Sequence, residues 1–474
     1  MTWSTRAGWA GALAVSLALA TNAVAGADPG RVGSPPGAAP AAVAAPSTSS
    51  AHLSGLRGKQ SGLRDKQGGL RDKQQWIGTW AASSLPPGST PESANGFTNQ
   101  TIRQTIHVSI GGPKLRLELA NTFGSGPLEV ADVDIALPRA GGGIQAGTSR
   151  QVTFLGSKTA TVAKGARLLS DPLDLRVRSD SSLTVSIYFK APTGPATHHR
   201  QSREITYISA PGNHNHDVAG SQFPNQMESW FFLSGVQVPA PTSTSAVIAL
   251  GDSITDGDGS TIGANRRWPD VLADRLGNRP ASRRASVLNA GIGANRLLND
   301  SDLGGPNALA RLDRDVLAQP GVQTLIVLEG VNDIGFSQFP SFPGVEPRTN
   351  VSAEQIIGAY QQIIDRAHTR GVRVLGGTIV PFEGSFYWDA AAETKRQRVN
   401  TWIRTSGAFD GVIDFDRVVR DPARPTVLAA AYDSGDHLHP SDAGYQAMGE
   451  AIELRCLTAG AGHDTIPTNC TRRR

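Results

Sequence analysis

Ala246-Val247-Ile248-Ala249-Leu250-Gly251-Asp252-Ser253-Ile254-Thr255-Asp256-Gly257 decides the reading of this 474-residue chain. Its five leading apolar residues are too few for a helix and run directly into a Gly-Asp-Ser turn. That is the pattern of a buried parallel strand delivering a serine to its carboxyl end. Ligands of open α/β sheets bind at that end, where loops vary over a fixed scaffold. Ser253 is therefore a candidate nucleophile, although a hydroxyl after a strand is more often a helix cap or a turn residue.

A serine needs partners, and the chain supplies them. Asp436-His437-Leu438-His439-Pro440 precedes an amphipathic pattern from Ser441 to Arg455. A histidine that takes the hydroxyl proton activates serine, and an acceptor on the other ring nitrogen fixes the tautomer. Asp436, on the same loop as His439, meets that need. Between these stretches, Leu325-Ile326-Val327-Leu328-Glu329-Gly330-Val331-Asn332-Asp333 reads as a second apolar strand leading to Asn332, whose amide could donate to a developing oxyanion.

Gly251-Asp252-Ser253, Asn289-Ala290-Gly291-Ile292-Gly293, Gly330-Val331-Asn332-Asp333 and Asp436-x-x-His439-Pro440 resemble the four sequence blocks of the SGNH/GDSL hydrolase superfamily, in that family's order. The resemblance spans roughly residues 246 to 456. It implies an α/β domain with a three-layer, flavodoxin-like parallel sheet and an esterase or lipase activity without a cofactor or metal. It implies Ser253, Asp436 and His439 as catalytic residues. The oxyanion donors it implies are the N–H of Ser253, the side chain of Asn332 and a middle backbone N–H. For that last donor the family usually has a glycine, and here one register puts Ala294 and another Gly293.

Other readings of the same residues fit less well. Thr255 stands where the G-x-S-x-G elbow of α/β-hydrolases requires its second glycine. Gly251 to Gly259 lacks the G-x-G-x-x-G spacing of a dinucleotide site. Asp436, His437 and His439 have zinc-ligand chemistry, but three ligands from four consecutive residues are geometrically awkward and no H-E-x-x-H occurs.

Downstream of Ser245 strands alternate with helical patterns, which predicts a parallel sheet with helices on both faces. Expected strands are Ala246 to Leu250, Ser286 to Ala290, Val322 to Leu328, Val372 to Ile379 and Val412 to Phe415. Expected helices are Pro269 to Leu276, Ala308 to Ala318, Ala353 to His368, Ala390 to Thr405 and the last one. Upstream, short segments rich in Val, Ile and Thr recur between Gly, Pro and Asp turns: Ile102 to Ile110, Lys114 to Ala120, Leu128 to Leu137, Gln151 to Leu155, Leu173 to Val177, Leu183 to Lys190 and Glu204 to Ser209. They predict an all-β sandwich or jelly roll. The expected layout is a β-domain over 76–238, a hinge over Pro239 to Ser245, a hydrolase domain over 246–456 and a tail over 457–474.

Residues 1–27 read as a cleavable export signal, with Arg6, an apolar run from Ala10 to Ala20 and Ala23-Val24-Ala25 as cleavage site. That run is too short to span a bilayer, and no later stretch reaches the length of a transmembrane segment. Residues 28–75 are rich in Pro, Ala, Ser and Gly and end in three near-copies of a heptad, from Ser54, Ser61 and Gly68. Each copy has one apolar residue, so no coiled-coil seam forms and a flexible basic linker is expected. In an oxidising compartment Cys456 and Cys470 would bridge; two free thiols are the alternative. The 45 basic and 41 acidic residues nearly cancel, so nothing argues for nucleic acid.

His198-His199 and His214-Asn215-His216-Asp217 invite a metal reading, yet no ligand framework of known spacing surrounds them, and loop polarity accounts for them better. The functional expectation is a secreted esterase acting on small-molecule or polysaccharide esters, with lipid, aryl and acetylated-carbohydrate esters all allowed. The alternative is a glycan-binding surface protein with a vestigial hydrolase domain, against which the intact Ser253, Asn332, Asp436 and His439 count.

Overall fold

Strand Ser245–Gly251 is buried at every position, and the sheet built around it is the frame of the carboxyl-terminal half. The computed structural model describes residues 74–280, 283–339, 344–457 and 468–472. The expected export signal lies outside these residues, as do all but the last two positions of the expected linker and most of the tail.

Two antiparallel sheets form the amino-terminal part. Their strands are β1 (Gln74–Ala81), β2 (Gln100–Val108), β3 (Arg116–Ala120), β4 (Asp132–Ala136), β5 (Arg150–Gln151), β6 (Arg167–Leu169), β7 (Ser181–Phe189), β8 (Thr206–Pro211), β9 (Asn225–Met227) and β10 (Leu233–Pro241). The smaller sheet runs β1-β10-β3-β6 and the larger β9-β8-β2-β7-β4-β5. Alternation along β3 sends Leu117 and Leu119 inward, and β2 sends in Ile102, Ile106 and Val108, all at 0% exposure. Aromatic contacts join the sheets: Phe189 on β7 lies 5.2 Å from Phe232, which leads into β10.

The parallel sheet comprises β11 (Ser245–Gly251), β12 (Ala285–Gly291), β13 (Val322–Leu328), β14 (Arg373–Gly377) and β15 (Gly411–Ile413), in the order β12-β11-β13-β14-β15. The chain steps one way from β11 to β12 and the other way thereafter. Right-handed crossovers then put the first connecting helix on one face and the later ones on the other. The helices that matter here are α1 (Ser253–Asp256), α2 (Trp268–Gly277), α3 (Val331–Gly335), α4 (Ala353–His368), α5 (Ala390–Thr405) and α6 (Asp442–Ala451). Helix α4 starts at a capping box, Ser352 with Gln355, and buries Ile356, Tyr360, Ile363, Ile364 and Ala367 at helical spacing. Tyr360 stacks on Trp402 of α5, while α2 and α6 pack together closely at Val271 and Gly449. Each fully buried Val, Leu or Ile of this core contributes about 1.5–3 kcal/mol.

Four local expectations are changed by the structure. The stretch Pro239 to Ser245 is not a hinge through its length: β10 continues to Pro241, paired with Gln74 to Trp76 of β1, and a tight turn leads into β11. The prolines are tolerated because β3 pairs with β10 only as far as Gln237, so beyond it the strand has one neighbour and needs fewer N–H donors. Leu128 to Leu137 breaks at Ala131, where the chain changes pairing partner from Ala160–Val162 to β7. The helix expected over Ala308 to Ala318 forms, α-helical over Ala308–Leu312 and continuing as a π-turn over Asp313–Leu317. Leu173 and Val177 make only isolated bridges.

The two parts pack directly on each other. Gly78 of β1 donates its N–H to Pro320 O at 3.2 Å, and Val287 on β12 donates to Ser109 Oγ at 3.2 Å.

Candidate active site

Because β12, β11 and β13 are neighbours in register, the loops at their carboxyl ends lie side by side. Those loops carry Ser253, Ile292 to Ala294 and Asn332. Gly251 ends β11 because no side chain fits there: a Cβ would stand 2.1 Å from Thr255 Oγ1 and 2.5 Å from Leu328 O. The chain turns at once into α1, whose cap is Asp252, with Oδ1 accepting the Ile254 N–H at 2.9 Å. Asp252 thus acts as a turn acceptor, and burial raises its carboxyl above the ordinary value. Ser253, at the first position of α1, is 7% exposed.

The second element is the loop before α6. Asp436 Oδ1 accepts the backbone N–H groups of Leu438 (2.9 Å) and His439 (2.8 Å), folding the loop into a tight turn. His437 takes the left-handed conformation at φ 62°, and its ring pairs with Asp433 at 2.6 Å. His439 faces the other way. Its Nδ1 lies 2.6 Å from Asp436 Oδ2 and its Nε2 lies 2.8 Å from Ser253 Oγ. Since a carboxylate only accepts, Nδ1 carries the proton, and in the neutral ring Nε2 is left to accept from the Ser253 hydroxyl.

Electrostatics reinforce this arrangement. Burial alone would lower the His439 pKa, but the Asp436 hydrogen bond and the charges of Asp258, Asp436 and Asp252 outweigh it, so the value lies above 6.5. For Asp436 burial acts upward, and the hydrogen bond and charge of His439 with two backbone N–H groups bring the carboxyl well below the usual range. Asp258 stands 3.8 Å from His439 Nε2, facing the same side as the serine.

The backbone N–H groups of Ser253 and Ala294 have no hydrogen-bond partner among the described residues. Gly293 differs: its N–H donates to Asp256 Oδ2 at 2.9 Å, which leaves Ala294 as the open backbone donor of this loop. Ala294 is left-handed, φ 65°, a conformation that strains an L-residue by about 1–2 kcal/mol and that glycine adopts freely. Asn332, in α3, donates one Nδ2 hydrogen to Asn295 O at 2.8 Å and accepts from the Tyr387 hydroxyl at 2.7 Å. Its second Nδ2 hydrogen has no partner among the described residues. Ser253, Ala294, Asn332, Asp436 and His439 therefore meet at one edge of the sheet.

Several contributors escape sequence reasoning. Arg311 is wholly buried and donates to Ala290 O (2.6 Å), Gly251 O (3.0 Å) and Asn295 Oδ1 (2.9 Å), tying the ends of β11 and β12 together. Asp333 accepts the N–H groups of Leu297 and Leu298. Tyr387 orients Asn332. From the antiparallel part, Gln201 Nε2 donates to Asp258 Oδ2 at 3.1 Å. None of these partners is near in sequence, so no spacing signal announces them.

Cys456 and Cys470 form a disulfide, both sulfurs buried. Of the histidines weighed as metal ligands, His198 and His199 pair within the fold, and His214 pairs with Asp217. His216 joins Asp132 and Asp134 with ligand atoms within 4.8 Å of one another, where the carboxylates already accept from Asn213, Gln151, Asn215 and Ser149. No described helix is long and apolar enough to cross a membrane.

Residues 249–447 match the GDSL-like Lipase/Acylhydrolase family, a span that includes Ser253, Ala294, Asn332, Asp436 and His439. No curated protein matches the chain. Among solved structures, a protein assigned to a lipolytic G-D-S-L family from Desulfitobacterium hafniense DCB-2 is 22% identical, covering 44% of this chain and 96% of its own, with a TM-score of 0.32. A variant of an acetyl xylan esterase from Geobacillus stearothermophilus is 20% identical, covering 43% and 91%, with a TM-score of 0.34. Residues 249–447 thus carry a GDSL-like lipase/acylhydrolase domain, which supports the SGNH/GDSL superfamily and ester-hydrolase chemistry.

Proposed function

We propose that the chain is a secreted serine ester hydrolase in which Ser253, His439 and Asp436 carry an acyl-enzyme mechanism. The observation that carries this reading is the continuous pair of hydrogen bonds from Ser253 Oγ to His439 Nε2 and from His439 Nδ1 to Asp436 Oδ2. Ser253 Oγ attacks the ester carbonyl while His439 Nε2 takes its proton. The tetrahedral oxyanion is met by the N–H groups of Ser253 and Ala294 and by Asn332 Nδ2. Collapse expels the alcohol, which leaves with the proton from His439. Water, deprotonated by the same nitrogen, then attacks the acyl-enzyme and releases the acid. Asp436 stays ionised throughout and stabilises the imidazolium.

Export is supported by the leader-like residues 1–27 and by the Cys456–Cys470 bridge, which suits an oxidising compartment. The proposed layout is a linker from 28 to the start of β1, a β-domain from β1 through β10 and a hydrolase domain over 246–456. For the substrate, we favour esters on a ring-bearing or polymeric alcohol. Phe386 and Trp388, the chain neighbours of Tyr387 that holds Asn332, are exposed, and exposed aromatic rings suit stacking of a sugar ring. Turnover of p-nitrophenyl acyl esters from acetyl to palmitoyl, by wild type and Ser253→Ala, tests the mechanism. Serine-dependent hydrolysis is expected; equal hydrolysis by both proteins would overturn it.

A further inference from the structure

The oxyanion loop is gripped from outside the parallel-sheet half. Segment His198–His199 pairs with Trp230 and Phe231 in the antiparallel part, and the residues that follow it reach over the loop after β12. Arg200 donates from Nη2 to Gly293 O at 3.3 Å. That oxygen belongs to the same peptide unit as the Ala294 N–H. In a trans peptide the C=O and N–H point in opposite directions, so a guanidinium holding one fixes the heading of the other.

The neighbouring peptide is held as well. The Gly293 N–H donates to Asp256 Oδ2, and the other oxygen of Asp256 faces His199 Nε2 at 3.0 Å. His199 Nδ1 faces Ser83 O at 2.9 Å. A carbonyl and a carboxylate both accept, so the ring, 5% exposed like its partner, donates from both nitrogens and is fixed at both ends. Gln201 closes the remaining space: a Cβ on Gly293 would stand 1.7 Å from its Oε1.

We propose that Arg200 and His199 are positioning residues for ester hydrolysis, contributed by the antiparallel part to aim the Ala294 N–H at the reacting oxygen. The inference rests on the acyl-enzyme reading above and assigns the β-domain a share in building the site. Arg200 sets the plane of the donor peptide and His199 sets the plane before it through Asp256. Neither touches the reacting atoms.

The test compares wild type, Arg200→Ala, Arg200→Lys, His199→Ala and His199→Gln as full chains on one p-nitrophenyl ester and on its thionoester. Sulfur accepts hydrogen bonds poorly, so the oxygen-to-sulfur rate ratio reports how well the oxyanion donors are aimed. The alanine variants should lose about ten- to a hundredfold in kcat, less than the loss of a whole donor, with KM nearly unchanged and the ratio reduced. Arg200→Lys and His199→Gln, which keep a donor, should recover part of both. If the alanine variants do not fold, the lysine and glutamine variants carry the test through the same ratio. Wild-type kcat and ratio in the folded variants, with Ser253→Ala inactive, would overturn the inference alone. Turnover surviving in Ser253→Ala would instead overturn the mechanism on which it rests.

Discussion

Asn332→Ala separates a catalytic amide from a structural one. Asn332 and Tyr387 are both 2% exposed, and the substitution strands two buried groups, Asn295 O and the Tyr387 hydroxyl. Each stranded group costs about 1–3 kcal/mol, so the folded state should lose about 2–6 kcal/mol in all. Removal of one oxyanion donor should separately lower kcat by about a hundred- to a thousandfold, or about 2.7–4 kcal/mol of transition-state stabilisation. Tyr387→Phe is the control. It strands only Asn332 Oδ1 and keeps the donor, so its stability loss should be about 1–3 kcal/mol and its kcat should fall far less. Both variants are measured well below their melting temperatures, with active sites titrated so that folded fraction and kcat are known independently. KM should hardly move in either, because the interaction exists only in the transition state. A folded Asn332→Ala with kcat within about threefold of wild type would refute the donor role and leave Asn332 as a clamp on Asn295.

Further outcomes follow from the other contacts of the structure. The base is neutral His439, and its pKa is raised, so kcat/KM should climb with pH through a midpoint above 6.5. In Asp436→Asn that midpoint should fall while the plateau drops by orders of magnitude. For stability the sign is opposite: the His439–Asp436 pair contributes fully between the unfolded pKa values of the carboxyl and the imidazole, fades as pH rises through the raised histidine value, and is lost in acid as Asp436 protonates. Reduction of Cys456–Cys470, bridging a separation of 14 residues, should cost about 3 kcal/mol, read as a lower melting temperature at unchanged kcat. Deletion of residues 76–238 should abolish turnover of small esters as well as polymeric ones, because Arg200, His199 and Gln201 brace the site; a deletion protein active on small esters would make the β-domain a targeting module.

The parallel half was legible because its strands carry short apolar runs bounded by turns and its helices a 3.6-residue apolar period: strand Val322–Leu328 and helices Ala353–His368 and Ala390–Thr405 have the bounds their patterns predict. Strand order was not readable from those runs, but its consequence was, since serine, asparagine and the histidine loop all follow elements that must end on one edge. The antiparallel half was harder. Its strands are short and change partners, as at Ala131, and the stretch Pro239 to Ser245 read as a hinge because proline in a strand is tolerated only where a neighbour is missing. The choice between Gly293 and Ala294 could not be made from residue type. It turns on which N–H is already occupied, and that depends on Asp256, whose partner His199 is distant in sequence. Arg311 escaped for a related reason: one buried guanidinium serving two strand-end carbonyls and the Asn295 side chain has no local pattern.

Reaction with a p-nitrophenyl alkylphosphonate, followed by mass analysis of the digested protein, puts the mechanism to its most direct test. One phosphonyl group per chain is expected, on the peptide holding Ser253, with labelling slowed by orders of magnitude in His439→Ala and absent in Ser253→Ala. A label on another residue, or ester turnover that outlasts complete modification of Ser253, would contradict the account.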